Sequence, residues 1–178
     1  GVVEHGAVRE RQAALGGKLF AVHDADPSAA VWNPSLLRQE LNGSISLQCV
    51  DYFSSAFYGN ADYIRSWDVG TFRFGVHAIA YGSFDGYDIY GNETGTFSAG
   101  DYVLTAGYGK EIVPGKVSMG MNVKSILSYY ETYFSAGLAV DVAASYYKDE
   151  KNFCMSLMAA NIGAQFVNYV DEREKLPF

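Results

Sequence analysis

Apolar and polar residues alternate along much of the chain after residue 44. Successive side chains of a β-strand point to opposite faces. The segment VSMGMNVKS, residues 117–125, therefore carries valine and methionine on one face and serine, glycine, asparagine and lysine on the other. The same alternation runs through residues 71–81, 102–109 and 135–146, and more weakly through 44–53, 57–67, 152–161 and 164–169. The pattern predicts about eight consecutive antiparallel strands and no helix after Leu37.

Two architectures produce such a pattern: a soluble sandwich, whose apolar faces meet in a core, and a membrane barrel, whose apolar faces meet lipid. Strands of soluble domains usually have about five to six residues, whereas tilted membrane-spanning strands need about nine to eleven. Several predicted strands have the greater length, and their polar faces carry the small residues expected inside a barrel. Tyrosine and phenylalanine gather near the strand ends, as in interfacial girdles. We therefore predict an all-β fold, an antiparallel transmembrane β-barrel of the bacterial outer membrane.

The predicted connections differ in length at the two ends of the strands. Short polar links are expected at residues 67–70, 110–115 and 148–152, alternating with links near Ser54 and at 82–101, 128–132 and 161–163. Outer-membrane barrels have short periplasmic turns and longer extracellular loops. Residues 82–101 are accordingly predicted to form an extracellular loop without strands. A disordered excursion in a soluble β protein is the alternative, which the aromatic content of the segment disfavours.

The chain before the first predicted strand is different in kind. It contains small residues, an acidic cluster, two prolines and Trp32, which looks exposed. Asn33-Pro34 predicts a turn, with Pro34 at the start of a short helix over residues 35–40. We therefore divide the chain into an N-terminal plug segment, residues 1–43, and a strand region, residues 44–178.

The net charge and the cysteine content limit the classes of function that the sequence supports. The formal net charge is −7 and no basic run clusters on a candidate helix, so the electrostatic footprint of nucleic-acid binding is absent. Cys49 and Cys154 are interpreted as two unpaired strand residues rather than a disulfide. No run of 18 or more apolar residues predicts a transmembrane helix. The first residues lack the features of a signal peptide, so the barrel interpretation implies that a signal has already been removed.

Few residues suggest chemistry. His23, Asp24 and Asp26 could form a metal cluster, but divalent cations usually take about six or more oxygen ligands, so a solvated acidic turn is the preferred interpretation. No serine, cysteine or carboxylate pair accompanies a partner base at a recognisable spacing. We therefore expect no enzyme activity, no metal and no cofactor.

Four charged residues fall on the predicted lumenal face. Arg73 and His77 share one strand, and a structural role is expected for both. If the hairpin turns near residues 131–132 about a centre between residues 132 and 133, Lys124 and Asp141 lie directly opposite each other. Opposite charges facing across strands attract, so the sequence predicts a structural pair that fixes the register, in preference to a role in conduction.

Particular runs of residues resemble a known family. The order ALGG, then HDADPSAAVWNPSLL before the first strand, is similar to the N-terminal hatch of FadL-type outer-membrane barrels, in which an Asn-Pro-Ala element is characteristic; this chain has Ser35 in place of that alanine. Further along, YGSFDGYDIYGNETGTFSAGDYVLTAGYG, GMNVKSILSYYETYFSAGLAVDVAASYY and NIGAQFVNY resemble the PorQ and PorV barrels of the type IX secretion system of Bacteroidetes-type bacteria, and PorQ more closely.

The resemblance carries further expectations. The family barrels have about fourteen strands, so C-terminal strands would be missing from this chain, and Phe178 would be an internal junction rather than an assembly signal. It implies a non-catalytic component that docks cell-surface partners, including PorU, PorV and PorZ, with PorV-like shuttling of cargo as the near variant. The alternatives are a FadL-like channel for a hydrophobic ligand and a soluble β-rich module.

Two groups of residues follow as candidates for function. The hatch residues, expected to be structural or gating, are Asp24, Asp26, Trp32, Asn33 and Pro34. The predicted extracellular loop supplies aromatic and hydrogen-bonding contacts suited to protein recognition, namely Phe84, Tyr87, Asp88, Tyr90 and Phe97.

Overall fold

The computed structural model describes residues 26–51, 56–130, 133–148 and 153–167, and within them the chain forms one sheet of seven antiparallel strands. The strands are β1 (Ile45–Asp51), β2 (Phe57–Trp67), β3 (Gly70–Tyr87), β4 (Glu93–Val113), β5 (Val117–Tyr130), β6 (Tyr133–Lys148) and β7 (Phe153–Val167). Each strand pairs with its sequence neighbours, so β1 and β7 form the two edges of the described sheet. The all-β prediction is confirmed.

The prediction of a loop at residues 82–101 is wrong. Strand β3 continues to Tyr87 and β4 begins at Glu93, so only residues 88–92 form a turn. A bulge between Ala80 and Ser83 interrupts the pairing, with Gly82 at φ +82°. The extra residue of a bulge breaks the alternation along a strand, and this break, with the many glycines, concealed the strands in the sequence.

The outer half of this hairpin projects beyond its neighbours. Ala80 is the last β3 residue paired with β2, and Ala99 is the first β4 residue paired with β5. Beyond these residues β3 and β4 pair only with each other. We call residues 83–98 the ribbon. Phe84 and Phe97 stack across it with ring centroids 5.4 Å apart, and such cross-strand aromatic pairs stabilise a sheet.

The last predicted link, at residues 161–163, is also wrong. Residues 153–167 form the single strand β7, with a register shift opposite Val140 and Val142. Asn161 adopts φ 57°, a left-handed conformation that asparagine tolerates better than most residues. The Asn-Ile-Gly sequence is thus a bulge within one strand rather than a turn between two, so the described sheet has one strand fewer than predicted.

The two faces of the sheet have an unusual distribution of polarity. We call the face that contacts residues 26–43 the inner face, and its polar side chains are buried: Ser118 and Asn122 are 0% exposed and Asp141 is 1% exposed. On the opposite, outer face, Met119 is 51% and Val142 46% exposed. A one-sided antiparallel sheet in water has the reverse arrangement, with its apolar face covered.

The N-terminal segment lies on the inner face. It contains helix α1 (Pro27–Trp32) and two single 3₁₀ turns, Pro34–Leu36 and Gln39–Leu41. The expected short helix over residues 35–40 is therefore two 3₁₀ turns interrupted at Leu37 and Arg38, and α1 was not predicted. A small apolar core joins the segment to the sheet, composed of Ala29, Ala30, Leu36, Leu37, Leu41, Ile64 and Tyr147.

Glycines on the inner face allow this close packing. A Cβ atom on Gly120 would lie 2.2 Å from the carbonyl oxygen of Pro34, and one on Gly109 would lie 2.5 Å from the Cβ of Leu37. Any larger residue would push the N-terminal segment away from the sheet. The small residues noted on the polar faces of the strands therefore serve the contact with residues 34–37.

Two further sequence predictions can be compared with the described residues. Cys49 and Cys154 are both free thiols, as predicted. No helix in the described ranges is long and apolar enough to cross a bilayer.

Candidate functional site on the inner face

The N-terminal segment is held by side chains that cap its short helices. Asp26 is the N-cap of α1: its carboxylate accepts hydrogen bonds from the backbone N–H of Ser28, at 2.9 Å, and from the Ser28 hydroxyl. Asp26 is only 6% exposed, so the expectation of a solvated acidic turn is wrong at this position. Capping explains its burial, because the carboxylate satisfies a helix N–H group. Asp24 lies outside the described residues.

Asn33 and Pro34 form the turn that the sequence predicted. The Asn33 side chain accepts a hydrogen bond from the N–H of Ser35 at 3.0 Å, and Pro34 opens the 3₁₀ turn. The Ser35 hydroxyl lies 2.6 Å from that of Ser145, which in turn lies 2.6 Å from that of Ser156. A short chain of hydroxyl groups therefore joins the N-terminal segment to strands β6 and β7.

Trp32 ends helix α1 and is 40% exposed, in agreement with its exposed appearance in the sequence. It borders an inner-face cavity together with Val31.

A buried ion pair lies beneath this cavity. Arg73 on β3 donates to Oδ1 of Asp62 on β2 through Nε at 2.7 Å and Nη2 at 2.6 Å. Both side chains are 1% exposed. The guanidinium group also lies 3.5 Å from the carbonyl oxygen of Val31 and 3.3 Å from Nε2 of His77. Arg73 therefore links the sheet to the end of the N-terminal helix.

His77 joins this network from the same strand. Its Nδ1 lies 3.4 Å from the hydroxyl of Tyr58, and its Nε2 faces Arg73. Neighbouring side chains therefore contact both Arg73 and His77, the arrangement expected for the predicted structural role.

Lys124 and Asp141 do form an ion pair, with Nζ and Oδ2 2.6 Å apart. The predicted register is wrong, however. Tyr130 pairs with Tyr133, so Asn122 lies directly opposite Asp141 and Lys124 lies opposite Ala139. The long lysine side chain reaches its partner diagonally, as long side chains on one face of a sheet can.

Asp141 has more partners than a cross-strand pair would require. It accepts hydrogen bonds from the backbone N–H of Asn161 at 2.8 Å and from the Asn122 amide at 3.3 Å. Lys124 also donates to the side-chain oxygen of Asn161 at 3.1 Å. The pair therefore fixes the β7 bulge as well as the contact between β5 and β6.

The cavity above these two pairs has a volume of about 370 Å³. Part of its lining is apolar, from Ile79, Val103, Ile126 and Met158, and part is polar, from Arg73, His77 and Lys124. The sequence predicts mainly glycine, serine and alanine, with scattered charges, on the inner face. That description fits the region under the N-terminal segment, whereas the half of the inner face nearer the ribbon is more apolar.

The ribbon carries the residues that were predicted to form extracellular loop contacts. At its tip, Asp88 accepts hydrogen bonds from the N–H groups of Tyr90, at 2.8 Å, and Asn92, at 2.9 Å. The Asn92 side-chain amide and these backbone donors hold the pKa of Asp88 below its usual value. Tyr90 is 83% exposed. Phe84 and Phe97 stack on each other rather than forming separate loop contacts, and the side chain of Tyr87 is outside what the structure describes.

No family model, no curated protein and no solved structure matches the chain. The site must therefore be interpreted from its own residues.

The charged side chains of the inner face hold the sheet and the N-terminal segment together. In the described ranges, no three histidine, cysteine, aspartate or glutamate side chains are grouped so that they could hold a metal ion. Asp62 was missed in the sequence analysis, although the tight turn between Trp67 and Gly70 sets the pairing of Asp62 with Gly75 and brings it diagonally to Arg73. This strand register could therefore have predicted the contact between Asp62 and Arg73 from the sequence. The contact of Asn161 with Lys124 had no such signal, because it depends on the bulge.

Proposed function

We propose that this chain forms part of a transmembrane β-barrel of the bacterial outer membrane, with its outer face against lipid acyl chains. The observation that carries the proposal is the inverted polarity of the sheet, with buried polar side chains inside and exposed apolar ones outside. A transmembrane barrel alternates apolar residues facing lipid with polar residues facing the lumen.

Aromatic residues on the outer face support this orientation. One group lies toward the short turns and consists of Trp67, Phe72, Tyr108, Tyr146 and Phe153; the other lies toward the ribbon and consists of Phe57, Tyr102, Tyr129, Phe134 and Phe166. Strand β2, 11 residues long, runs from Phe57 to Trp67, a distance of about 33 Å at the usual rise per residue. A tilt of about 45° reduces this to about 23 Å, close to the apolar band of such barrels.

In this orientation the N-terminal segment closes the periplasmic part of the lumen, and the ribbon extends outside the cell. Two exposed side chains at the ribbon tip, Ile89 and Tyr90, are 92% and 83% exposed. Exposed aromatic and apolar residues on a rigid support suit recognition of a protein. Together with the resemblance to PorQ and PorV, this favours a non-catalytic docking component of type IX secretion, with PorU-, PorV- and PorZ-like partners.

Contact with lipid can be tested with the two tryptophans. Single-tryptophan variants, Trp32→Phe and Trp67→Phe, are reconstituted in vesicles whose lipids carry bromine near the head group. Trp67 on the outer face should be quenched strongly, whereas Trp32 beside the inner cavity should be quenched weakly. Equal quenching of both, or release of the protein into the aqueous fraction, would contradict the membrane proposal.

Docking requires a separate experiment in the bacterium. We expect wild-type protein used as bait to recover PorU-, PorV- or PorZ-like proteins, and the double variant Ile89→Ser/Tyr90→Ser to lose them. The matched control is Val69→Ser, which changes an exposed residue of a hairpin turn at the opposite end of the sheet. Equal recovery by the ribbon variant and the control would contradict a docking role for the ribbon. Recovery of secreted cargo in place of these partners would favour PorV-like shuttling.

One observation favours a second function, a channel or binding site for hydrophobic small molecules. The 370 Å³ cavity combines apolar residues with a few polar groups, the usual composition of a small-molecule site. If this function is correct, Ile126→Trp should fill the cavity and abolish binding of a fluorescent fatty acid without changing recovery of protein partners. Unchanged binding by Ile126→Trp would exclude this cavity as the site.

A further inference from the structure

A second cavity lies at the ribbon end of the sheet and shares Asp101 with the inner-face cavity, while its other described lining residues belong to neither the ion pairs nor the N-terminal segment. Its volume is about 540 Å³, and eight of the described residues line it. Five of these are aromatic, contributed by β3, β5 and β6, and include Phe84, Tyr130 and Tyr133. We call it the rim cavity. The face of an aromatic ring carries partial negative charge, so a cavity with five aromatic side chains in its lining favours a cation.

Asp101 is the charged residue among the described residues of the lining. One of its carboxylate oxygens accepts a hydrogen bond from the Tyr81 hydroxyl at 2.7 Å, and the other accepts from the Ser128 hydroxyl. Both donors are neutral, so they orient the carboxylate without neutralising it. The inner-face ion pairs in the described chain join Arg73 to Asp62 and Lys124 to Asp141. None of the described rim-cavity residues carries a positive charge.

Two of the aromatic side chains, Phe84 and Tyr130, are held in place by Phe97 before any ligand binds. Phe97 stacks on Phe84 and contacts Tyr130 with ring centroids 5.2 Å apart. Tyr130 and Tyr133 are 48% and 52% exposed, so their rings remain available to a ligand. A fixed carboxylate beside preorganised aromatic rings attracts a cation by charge and by the ring quadrupole together.

We propose that the rim cavity binds an organic cation, a quaternary ammonium or guanidinium group attached to an apolar body. The carboxylate of Asp101 supplies the counter-charge, and the rings of Tyr130 and Tyr133 contact the cation and its apolar part. This cavity is larger than a methylated ammonium group alone requires, so the apolar body occupies the remaining space. The proposal does not depend on docking to secretion proteins.

The direct test compares a cation with its neutral isostere on the wild-type protein. Choline and 3,3-dimethylbutan-1-ol have the same shape around the quaternary centre and differ in charge. We expect choline to bind at least about tenfold more tightly, since a charged partner strengthens hydrogen-bonded and aromatic contacts by this order. Saturation-transfer NMR and calorimetry would measure binding to the full protein in a maltoside detergent, which avoids choline-containing head groups. Arginine amide, tested in parallel, distinguishes a preference for guanidinium from one for quaternary ammonium.

Two variants locate the site. Asp101→Asn keeps the shape of the side chain and should weaken choline binding by about tenfold or more, whereas Asp85→Asn, which removes an exposed carboxylate from the ribbon, should not change it. Tyr130→Leu should weaken binding by about three- to fivefold. Equal binding of choline and its neutral isostere, no binding of either cation, or full retention of affinity by Asp101→Asn would each overturn the proposal. The first two outcomes need no variant, so a failure of Asp101→Asn to fold leaves the test decisive.

Discussion

Replacing Arg73 with methionine removes a guanidinium group from a part of the inner face that is closed to solvent. Asp62, its partner, is 1% exposed and would be left buried without the guanidinium group. Breaking a buried pair in this way costs about 3–5 kcal/mol, because the remaining charge has lost both water and its partner. The weaker contact with the Val31 carbonyl, at 3.5 Å, adds little. We therefore expect Arg73→Met to lower the free energy of unfolding by about 3–5 kcal/mol.

The double variant Arg73→Met/Asp62→Leu separates the ion pair from the packing. Replacing both partners of a buried pair with apolar residues is often close to neutral, so this variant should recover most of the stability that Arg73→Met loses. The coupling energy from the double-mutant cycle should then be at least about 2 kcal/mol. Arg65→Met is the matched control, because Arg65 is exposed on the outer side of the same strand as Asp62, and its effect should be about 0.5 kcal/mol or less.

Urea unfolding in detergent, followed by tryptophan fluorescence, gives these free energies. The protein contains two tryptophans, of which Trp32 reports on the N-terminal segment and Trp67 on the sheet. The explanation would be wrong if Arg73→Met cost less than about 1 kcal/mol, the range of surface pairs. It would also be wrong if the two single substitutions proved additive to within about 0.5 kcal/mol.

Three other predictions test different parts of the structure. Gly120→Ala should release the N-terminal segment from the sheet, detected as faster proteolysis within that segment, because a Cβ atom would lie 2.2 Å from the carbonyl oxygen of Pro34. Gly59→Ala, where the nearest atoms to a new Cβ belong to the Phe57 side chain, should not. Ser35→Ala should cost about 1 kcal/mol in urea unfolding, since it removes the buried hydroxyl contacts of this residue. The pKa of Asp88 lies below its ordinary value of 3.8, so order at the ribbon tip should persist as the pH falls past 3.8 and be lost only at lower pH. Amide hydrogen exchange at Asn92 measures this order. Loss of protection from exchange above pH 3.8 would contradict the prediction.

The strand faces could be predicted where a strand contains no irregularity. In β6 the exposure alternates without a break from Ser135 to Lys148, so a simple two-residue period assigns every side chain to the correct face. In β7 and at the start of the ribbon, a bulge adds a residue and changes the phase. The energy of a bulge depends on the partner strand, which a local pattern does not contain.

The ion pair of Lys124 and Asp141 shows which side-chain contacts an approximate strand register can predict. The prediction placed the turn one residue too late, which moved the partner of Lys124 by two positions and kept it on the same face. Because the lysine side chain is long and flexible, the predicted ion pair is present although the predicted strand pairing is wrong. Asn161 adds two further contacts to this pair, and they would have required knowledge of the bulge.

The apolar core on the inner face is small, whereas the outer face exposes large apolar side chains. In the described residues, the core that joins residues 26–43 to the sheet has seven buried residues, of which two are alanine. Cores of that size contribute little stability in water. In contrast, large apolar side chains such as Leu47 and Leu157 are 75% and 78% exposed on the outer face. Apolar surface gains free energy only when it leaves water, and an exposed apolar area of this kind marks a membrane or protein contact. The ladder hydrogen bonds and inner ion pairs give the sheet its geometry, and we propose that lipid on the outer face supplies the apolar contact that the small inner core lacks.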